Sequence, residues 1–288
     1  MTAPTEPGVS VPSAPPGWYA DPWGVAHWRW WDGYAWTGYT NIPPTIGIAP
    51  DPRDPTRQLQ AGGIAALGFL VGFVLSNVIA VFMLLAGASM SDPLLLLGAT
   101  LGIWTGLGGA CVVAVRRKGT GSLRDLGLTR PTASDVGLGI ACGVGILILV
   151  VIVAAVLHAI APNVSPGARN DLEDPLSTGA FGVLIVLLIG SVGAPFFEEL
   201  FFRGLVQGTL IARWGTAAGI AVQAFLFGMV HLQLGVGWGN LIELVVIGTV
   251  GICLGLLRRY TGKLVPGMFA HGTYNFLILV IGLAAIVR

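Results

Sequence analysis

Phe196-Phe197-Glu198-Glu199-Leu200-Phe201-Phe202-Arg203-Gly204 sets two carboxylates and a guanidinium among phenylalanines and leucines, beside a long apolar run. An ionised side chain at the centre of a membrane helix costs roughly 2.5–3.5 kcal/mol on insertion scales, so such residues mark function or a paired network. Helical geometry separates the two acids. Glu199 and Arg203 are i and i+4, share one face and can pair. Glu198 lies about 100° further round the axis and faces something else. This reading makes Glu199 the structural partner of Arg203 and Glu198 the chemical carboxylate. The alternative is a self-neutralising cluster at the wet end of a helix. Partners elsewhere in the chain have to decide between them.

Composition fixes the class of protein. Of 288 residues, 54% are hydrophobic and only 10% charged, with a mean hydropathy of +0.80. Soluble domains run at about 25% charged. The chain therefore reads as an all-α polytopic membrane bundle, with nearly everything after residue 60 in lipid. A net charge of +1 offers no nucleic-acid footprint. Cys111, Cys142 and Cys253 fall inside apolar runs without paired spacing, and read as small buried hydrophobes rather than disulfides or metal ligands. Residues 1–60 hold no charged segment followed by an apolar one, so no cleavable signal peptide is expected.

The N-terminal region divides into three. Residues 1–15 are rich in Pro, Ser and Ala and are expected to be disordered. Residues 16–40 form an aromatic island, Pro16-Gly17-Trp18-Tyr19-Ala20-Asp21-Pro22-Trp23-Gly24, then His27-Trp28-Arg29-Trp30-Trp31-Asp32-Gly33-Tyr34-Ala35-Trp36-Thr37, with six of the nine tryptophans. Asp32-Gly33 between aromatic runs signals a hairpin, since a type I′ turn needs positive φ at both central residues. A very small β-rich motif stacked on its own tryptophans is predicted. The island resembles a short Trp-rich domain of unknown function found ahead of membrane segments in bacterial proteins. It is either a self-packed cap or a docking module for a partner, lipid head groups or cell-wall material. Residues 41–58, with Pro43, Pro44, Pro50, Pro52 and Pro55, form a stiff linker.

Residues 59–288 hold about seven apolar segments long enough to span, near 61–88, 93–115, 134–160, 178–200, 216–235, 240–257 and 264–287. Many of the 43 glycines lie within them, which suits close helix approach. Lys and Arg in the short loops set orientation. Arg53, Arg57, Arg116, Arg117, Lys118, Arg124, Arg130, Arg213, Arg258, Arg259 and Lys263 all become cytoplasmic when the N-terminus is inside. The opposite loops then carry only Arg169, beside Asp171, Glu173 and Asp174, and Arg288 closes the chain. A multi-pass protein of the cytoplasmic membrane with its N-terminus inside is expected.

Two further polar positions interrupt apolar helix. Phe227-Gly228-Met229-Val230-His231 ends the fifth segment, and His271-Gly272-Thr273-Tyr274-Asn275 opens the seventh with His271 and Asn275 at i, i+4. A lone membrane histidine is commonly a packed, hydrogen-bonded residue. A Glu, two His and an Asn on three segments supply what water activation and oxyanion stabilisation need: a base, an orienting partner and hydrogen-bond donors. Glu198-Glu199-x-x-x-Arg203, Phe227-x-x-x-His231 and His271-x-x-x-Asn275, in this order, resemble the three-motif signature of the CPBP intramembrane proteases, which comprise CAAX prenyl endopeptidases and bacteriocin-processing or immunity (Abi) proteins. The similarity covers about residues 135–287. Ala221-Val222-Gln223-Ala224 departs from it, because many relatives carry small hydroxyl residues there.

The resemblance implies an endopeptidase acting on a membrane-associated or C-terminal peptide. Glu198 with His231 would activate water, His271 with Asn275 would stabilise the oxyanion, and Glu199, Arg203 and Phe227 would support the site. The family is also described as zinc-dependent. A zinc reading takes His231, His271 and Glu198 as ligands, but zinc wants three good ligands plus water and Asn is a poor one. A metal-free, glutamate-dependent hydrolase is the favoured reading. Rival readings are a non-catalytic immunity-type binding protein, which has no need of Glu198, and a proton-coupled transporter, which an odd span count and absent inverted repeats disfavour. Simple threading raises one difficulty: Glu198 falls near one face of the membrane and His231 near the other. Either Ala194-Pro195 kinks the fourth segment, or residues 204–213 re-enter so that the fifth starts deep. Glu243, early in the sixth, lines the site or sits at the outer interface; His27 and His158 receive no role.

Orientation has a direct test. With Ser122→Cys and Ser165→Cys made separately, an impermeant thiol reagent applied to intact cells should label the second and spare the first. Labelling of Ser122→Cys from outside would reverse the topology.

Overall fold

The computed structural model describes residues 15–23, 28–41, 55–164, 178–232 and 237–286. The expected disordered tail over 1–14, most of the proline-rich linker, His27 and the loop from Arg169 to Asp174 lie outside the described residues. The chain separates into two compact units, Met1–Thr45 and Ile46–Arg288.

In the first unit, β1 (Gly17–Ala20), β2 (Trp28–Trp31) and β3 (Trp36–Asn41) form one antiparallel sheet in the order β1-β2-β3. Trp18 pairs with Trp30 and Trp31 with Trp36, with a register shift between Arg29 and Trp31. The Asp32-Gly33 hairpin forms through the connection 32–35 rather than a two-residue turn. Gly33 takes φ +98°, and Asp32 Oδ1 accepts from Tyr34 N and Ala35 N, both at 2.7 Å. The Ala35 and Tyr34 N–H groups hold the Asp32 carboxyl below its ordinary value. A depressed carboxylate favours the folded turn at neutral pH, and that contribution fades as pH falls through the lowered value.

The second unit is a helical bundle: α1 (Pro55–Leu85), α2 (Pro93–Lys118), α3 (Ala133–Ile160), α4 (Ala180–Met229), α5 (Gly239–Thr261) and α6 (Val265–Ile286). Among the described residues these six are long and apolar enough to cross a membrane. The seven expected segments become six because 178–200 and 216–235 belong to one composite helix. The helix runs past the expected segment end near residue 200 and continues to Trp214. Within it, π-helical stretches at Ile189–Gly193 and Glu199–Val206 flank Ala194–Glu198. The chain turns only at Gly215, whose φ of 81° and ψ of 172° lie outside helical space; a side chain there would be strained.

This bend resolves the threading difficulty by a third route. The first arm, 180–214, is about 52 Å long at ~1.5 Å per residue, and the return arm, 216–229, only about 21 Å. A Cβ at Gly219 would press on the Ile211 backbone at 2.7 Å, so the arms run back to back from the bend. Phe227 then reaches Phe202, with ring centroids 5.1 Å apart, and the arm ends beside the middle of its partner. Glu198 lies 18 residues after Ala180 and 16 before Trp214, and needs no kink at Pro195 to meet His231.

The basic end of the bundle is stitched by caps. Thr132 and Asp135 form a capping box at α3, and Lys263 Nζ donates to Asp135 Oδ1 at 3.0 Å. A short 3-10 turn, Leu123–Leu126, ends at Gly127 with φ 88°. Arg258 Nη2 donates to Leu126 O at 3.0 Å, and Leu264 N to Gly127 O at 2.9 Å. At the other side α1 and α2 touch through glycine: a Cβ on Gly106 would overlap the backbone of Gly68 and Gly72.

Gly106→Ala should therefore cost about 1–3 kcal/mol, the usual penalty of overpacking, read as a lower melting temperature in detergent. Gly109→Ala, where a Cβ meets nothing within 4 Å, should leave the melting temperature unchanged or raise it. Equal melting of the two variants would contradict the close α1–α2 contact.

Candidate active site

Glu199 and Arg203 lie in the second π-helical stretch of α4 and pair across one turn. Arg203 Nη1 donates to Glu199 Oε1 at 2.8 Å, with both side chains buried. Arg203 Nη2 also reaches Gly251 O of α5 at 3.4 Å, and its guanidinium covers the Phe227 ring, 4.2 Å from the centroid. A π-helical turn is wider than an α turn and recurs at functional sites. Here it presents Glu198 and Glu199 to α6 together.

α6 supplies the next link. His271 Nδ1 lies 3.1 Å from Glu199 Oε1. That carboxylate already accepts from Arg203, so Nδ1 carries the proton and donates. The Nε2 edge turns toward Glu198, 3.9 Å from Oε2, beyond hydrogen-bond reach. α6 comes this close because residue 272 is glycine: a Cβ there would stand 2.6 Å from Ser191 O. On the return arm, His231 Nδ1 is 2.7 Å from Phe227 O. A carbonyl can only accept, so Nδ1 is protonated and Nε2 is the basic nitrogen of the neutral ring. Asn275 Nδ2 donates to Gly190 O of the first π-helical stretch at 2.7 Å, which commits one of its two amide hydrogens.

A cavity of about 310 Å³ opens among these elements, lined by Glu198, His231, His271 and Asn275, with Trp104 and Phe227 among its apolar walls. Glu198 Oε2 is buried without a hydrogen-bond partner. Phe227 separates the histidines, its ring 4.8 Å from that of His231 and 5.8 Å from that of His271. Glu199 and Arg203 lie behind the lining. All four residues singled out for chemistry in the sequence thus share one cavity. The spacing argument joined His271 to Asn275 on one face; the Glu199–His271 bond is additional. Two buried glutamines were missed as part of the same interior. Gln207 Nε2 donates to Gly255 O at 3.0 Å, and Gln223 is fully buried. Gln207 is i+4 to Arg203, so spacing could have found it; Gln223 carries no such signal. Glu243, the fifth residue of α5, is buried and is not among the cavity's lining residues. His158 is exposed near the end of α3.

Among the described residues no three His, Cys, Asp or Glu side chains gather closely enough to hold a metal ion. Nδ1 of each histidine is engaged, by Phe227 O and by Glu199 Oε1, the outer contact that metal-ligating histidines also make.

The two glutamates should respond differently to loss of charge. Glu199→Gln leaves the buried Arg203 uncompensated and should cost about 3–5 kcal/mol of stability. Glu198→Gln removes a carboxylate whose Oε2 makes no hydrogen bond and should leave thermal unfolding in detergent unchanged. An unstable Glu198→Gln beside a normal Glu199→Gln would exchange their roles.

Comparison with known proteins adds a family. Residues 180–277 match the family model described as type II CAAX prenyl endopeptidase Rce1-like. No curated protein and no solved structure matches the chain. The matched segment runs from the start of α4 into α6 and contains Glu198, Glu199, Arg203, Phe227, His231, His271 and Asn275. Over this segment, about a third of the chain, the protein is similar to the type II CAAX prenyl endopeptidase Rce1-like family.

Proposed function

We propose that the protein is an intramembrane endopeptidase that hydrolyses a peptide bond in a membrane-associated or C-terminal peptide substrate, without a resident metal. The observation that carries this reading is the convergence of Glu198, His231, His271 and Asn275 on one cavity inside an apolar bundle. In this mechanism a water lies between the Glu198 carboxylate and His231 Nε2. Glu198 takes a proton from it as its oxygen attacks the scissile carbonyl carbon. The carbonyl electron pair moves onto oxygen, and the resulting oxyanion accepts from the second amide hydrogen of Asn275 and from His271 Nε2 when that nitrogen is protonated. Collapse breaks the C–N bond, and the proton held by Glu198 passes to the leaving amine. Glu199 and Arg203 fix the His271 ring and do not touch substrate. The proposed setting is the cytoplasmic membrane with the N-terminus inside, as the distribution of Lys and Arg supports.

The substrate is found by trapping: membrane proteomes of cells carrying the wild type and Glu198→Ala are compared for a peptide that accumulates uncut. Against that peptide, Asn275→Ala should lose about 10²–10³ in turnover, the usual effect of removing one oxyanion donor, and Glu198→Ala essentially all. Asn275→Asp should not restore activity, because a carboxylate would repel both the oxyanion and Gly190 O.

Purified protein should stay active after dialysis against a strong chelator. Stoichiometric zinc lost together with activity, and activity restored by zinc, would replace this mechanism with a metal-dependent one.

A further inference from the structure

The small sheet has one packed face and one open face. Tyr19, Arg29 and Trp31 point to the packed side. Trp31 is 1% exposed there, with Trp36 edge-on at 5.3 Å. Arg29 lies over Trp23 at 4.7 Å and pairs with Asp21 at 2.9 Å. The alternating positions Trp18, Trp28 and Trp30 point the other way. Trp18 meets Trp30 edge-on, with centroids 5.4 Å apart, and both line a shallow concavity with Gly38 and Tyr39. Trp18 is 41% exposed, Trp28 42% and Tyr39 72%. The packed face already supplies this unit's core, so these rings are not needed to hold the strands together.

Two observations identify what covers them. The first is chemistry: Trp and Tyr combine an apolar body with a polar tip and concentrate at membrane–water interfaces, and the Arg29–Asp21 ion pair is kept to the opposite side. The second is chain length. Thirteen residues separate Asn41 at the end of β3 from Pro55 at the start of the membrane helix α1, and a chain of that length spans at most about 45 Å. That reach bounds the distance between sheet and α1, and within it even a weak affinity for a bilayer is multiplied by effective concentration. We propose that the Trp18–Trp30–Tyr39 face docks on the lipid–water interface of the membrane that the helices span, its rings at the level of the head groups.

The full chain, with Cys111→Ala, Cys142→Ala and Cys253→Ala, accepts a spin label through Gly38→Cys, a position where a Cβ meets nothing within 4 Å. Collisional access to a water-soluble nickel chelate is then measured in phosphatidylcholine nanodiscs and in a lipid-free amphipol. Nickel access should be several-fold lower in nanodiscs, with oxygen access raised. Tyr39→Ser, and Trp18→Ser with it, should restore nickel access in nanodiscs; Tyr39→Ser alone suffices as the test should the double variant misfold. Equal nickel access in the two media overturns the proposal, because the face is then either in water or held by protein. Shielding in nanodiscs that survives Tyr39→Ser overturns it as well.

Discussion

The buried pair of Arg203 and Glu199 is the constraint on which the bundle's interior depends. A guanidinium with no exposed surface has to be met by the protein itself. Glu199 meets it in charge, Gly251 O in hydrogen bonding and the Phe227 ring in polarisability. Each partner belongs to a different stretch: the first arm of α4, α5 and the return arm. Removing Glu199 leaves the Arg203 charge uncompensated in an apolar medium, where it is most costly. The pair therefore joins three helical segments, and Glu199 extends the network to a fourth through His271. Chemistry can be mounted on this frame because its geometry is over-determined.

Short-range geometry was legible in the sequence, and depth was not. Glu199 with Arg203 and His271 with Asn275 follow from i, i+4 spacing, and the structure keeps each pair on one helix. The Asp32-Gly33 hairpin was legible from its turn chemistry, although Asp32 shapes it through its side chain over four residues. The Glu199–His271 bond joins residues 72 apart in the chain, and no local pattern encodes it. The level of His231 relative to Glu198 depends on where the chain reverses. The run from 201 to 214 holds Arg203, Gln207 and Arg213, and the hydropathy lost at those residues ended the apolar segment too early. Gln223 was visible only as a departure from the resembled pattern, and its burial beside α5 is a tertiary fact.

The basic residues that set the expected orientation are not all ordinary loop cations. Lys263 is committed to Asp135 and Arg258 to the Leu126 carbonyl, and Arg258 is 3% exposed. Two of the charges counted toward the expected orientation thus also close helix ends and hold the loop between α2 and α3 against α5.

The two π-helical stretches of α4 carry a consequence for how this helix tolerates change in length. A π turn is an α-helix with a residue's worth of extra chain taken up in one wide turn. Each wide turn is therefore a reserve of one residue. A deletion within 199–206 could be absorbed by the turn closing to α geometry, with the helix before and after keeping nearly its present bearing; the loss would fall inside the turn, on the Glu199–Arg203 pair. The same deletion in the regular helix before Ile189 or after Val206 has no such reserve and rotates one side against the other by about 100°. The helix thus accepts a change of length where it is wide and refuses it where it is regular.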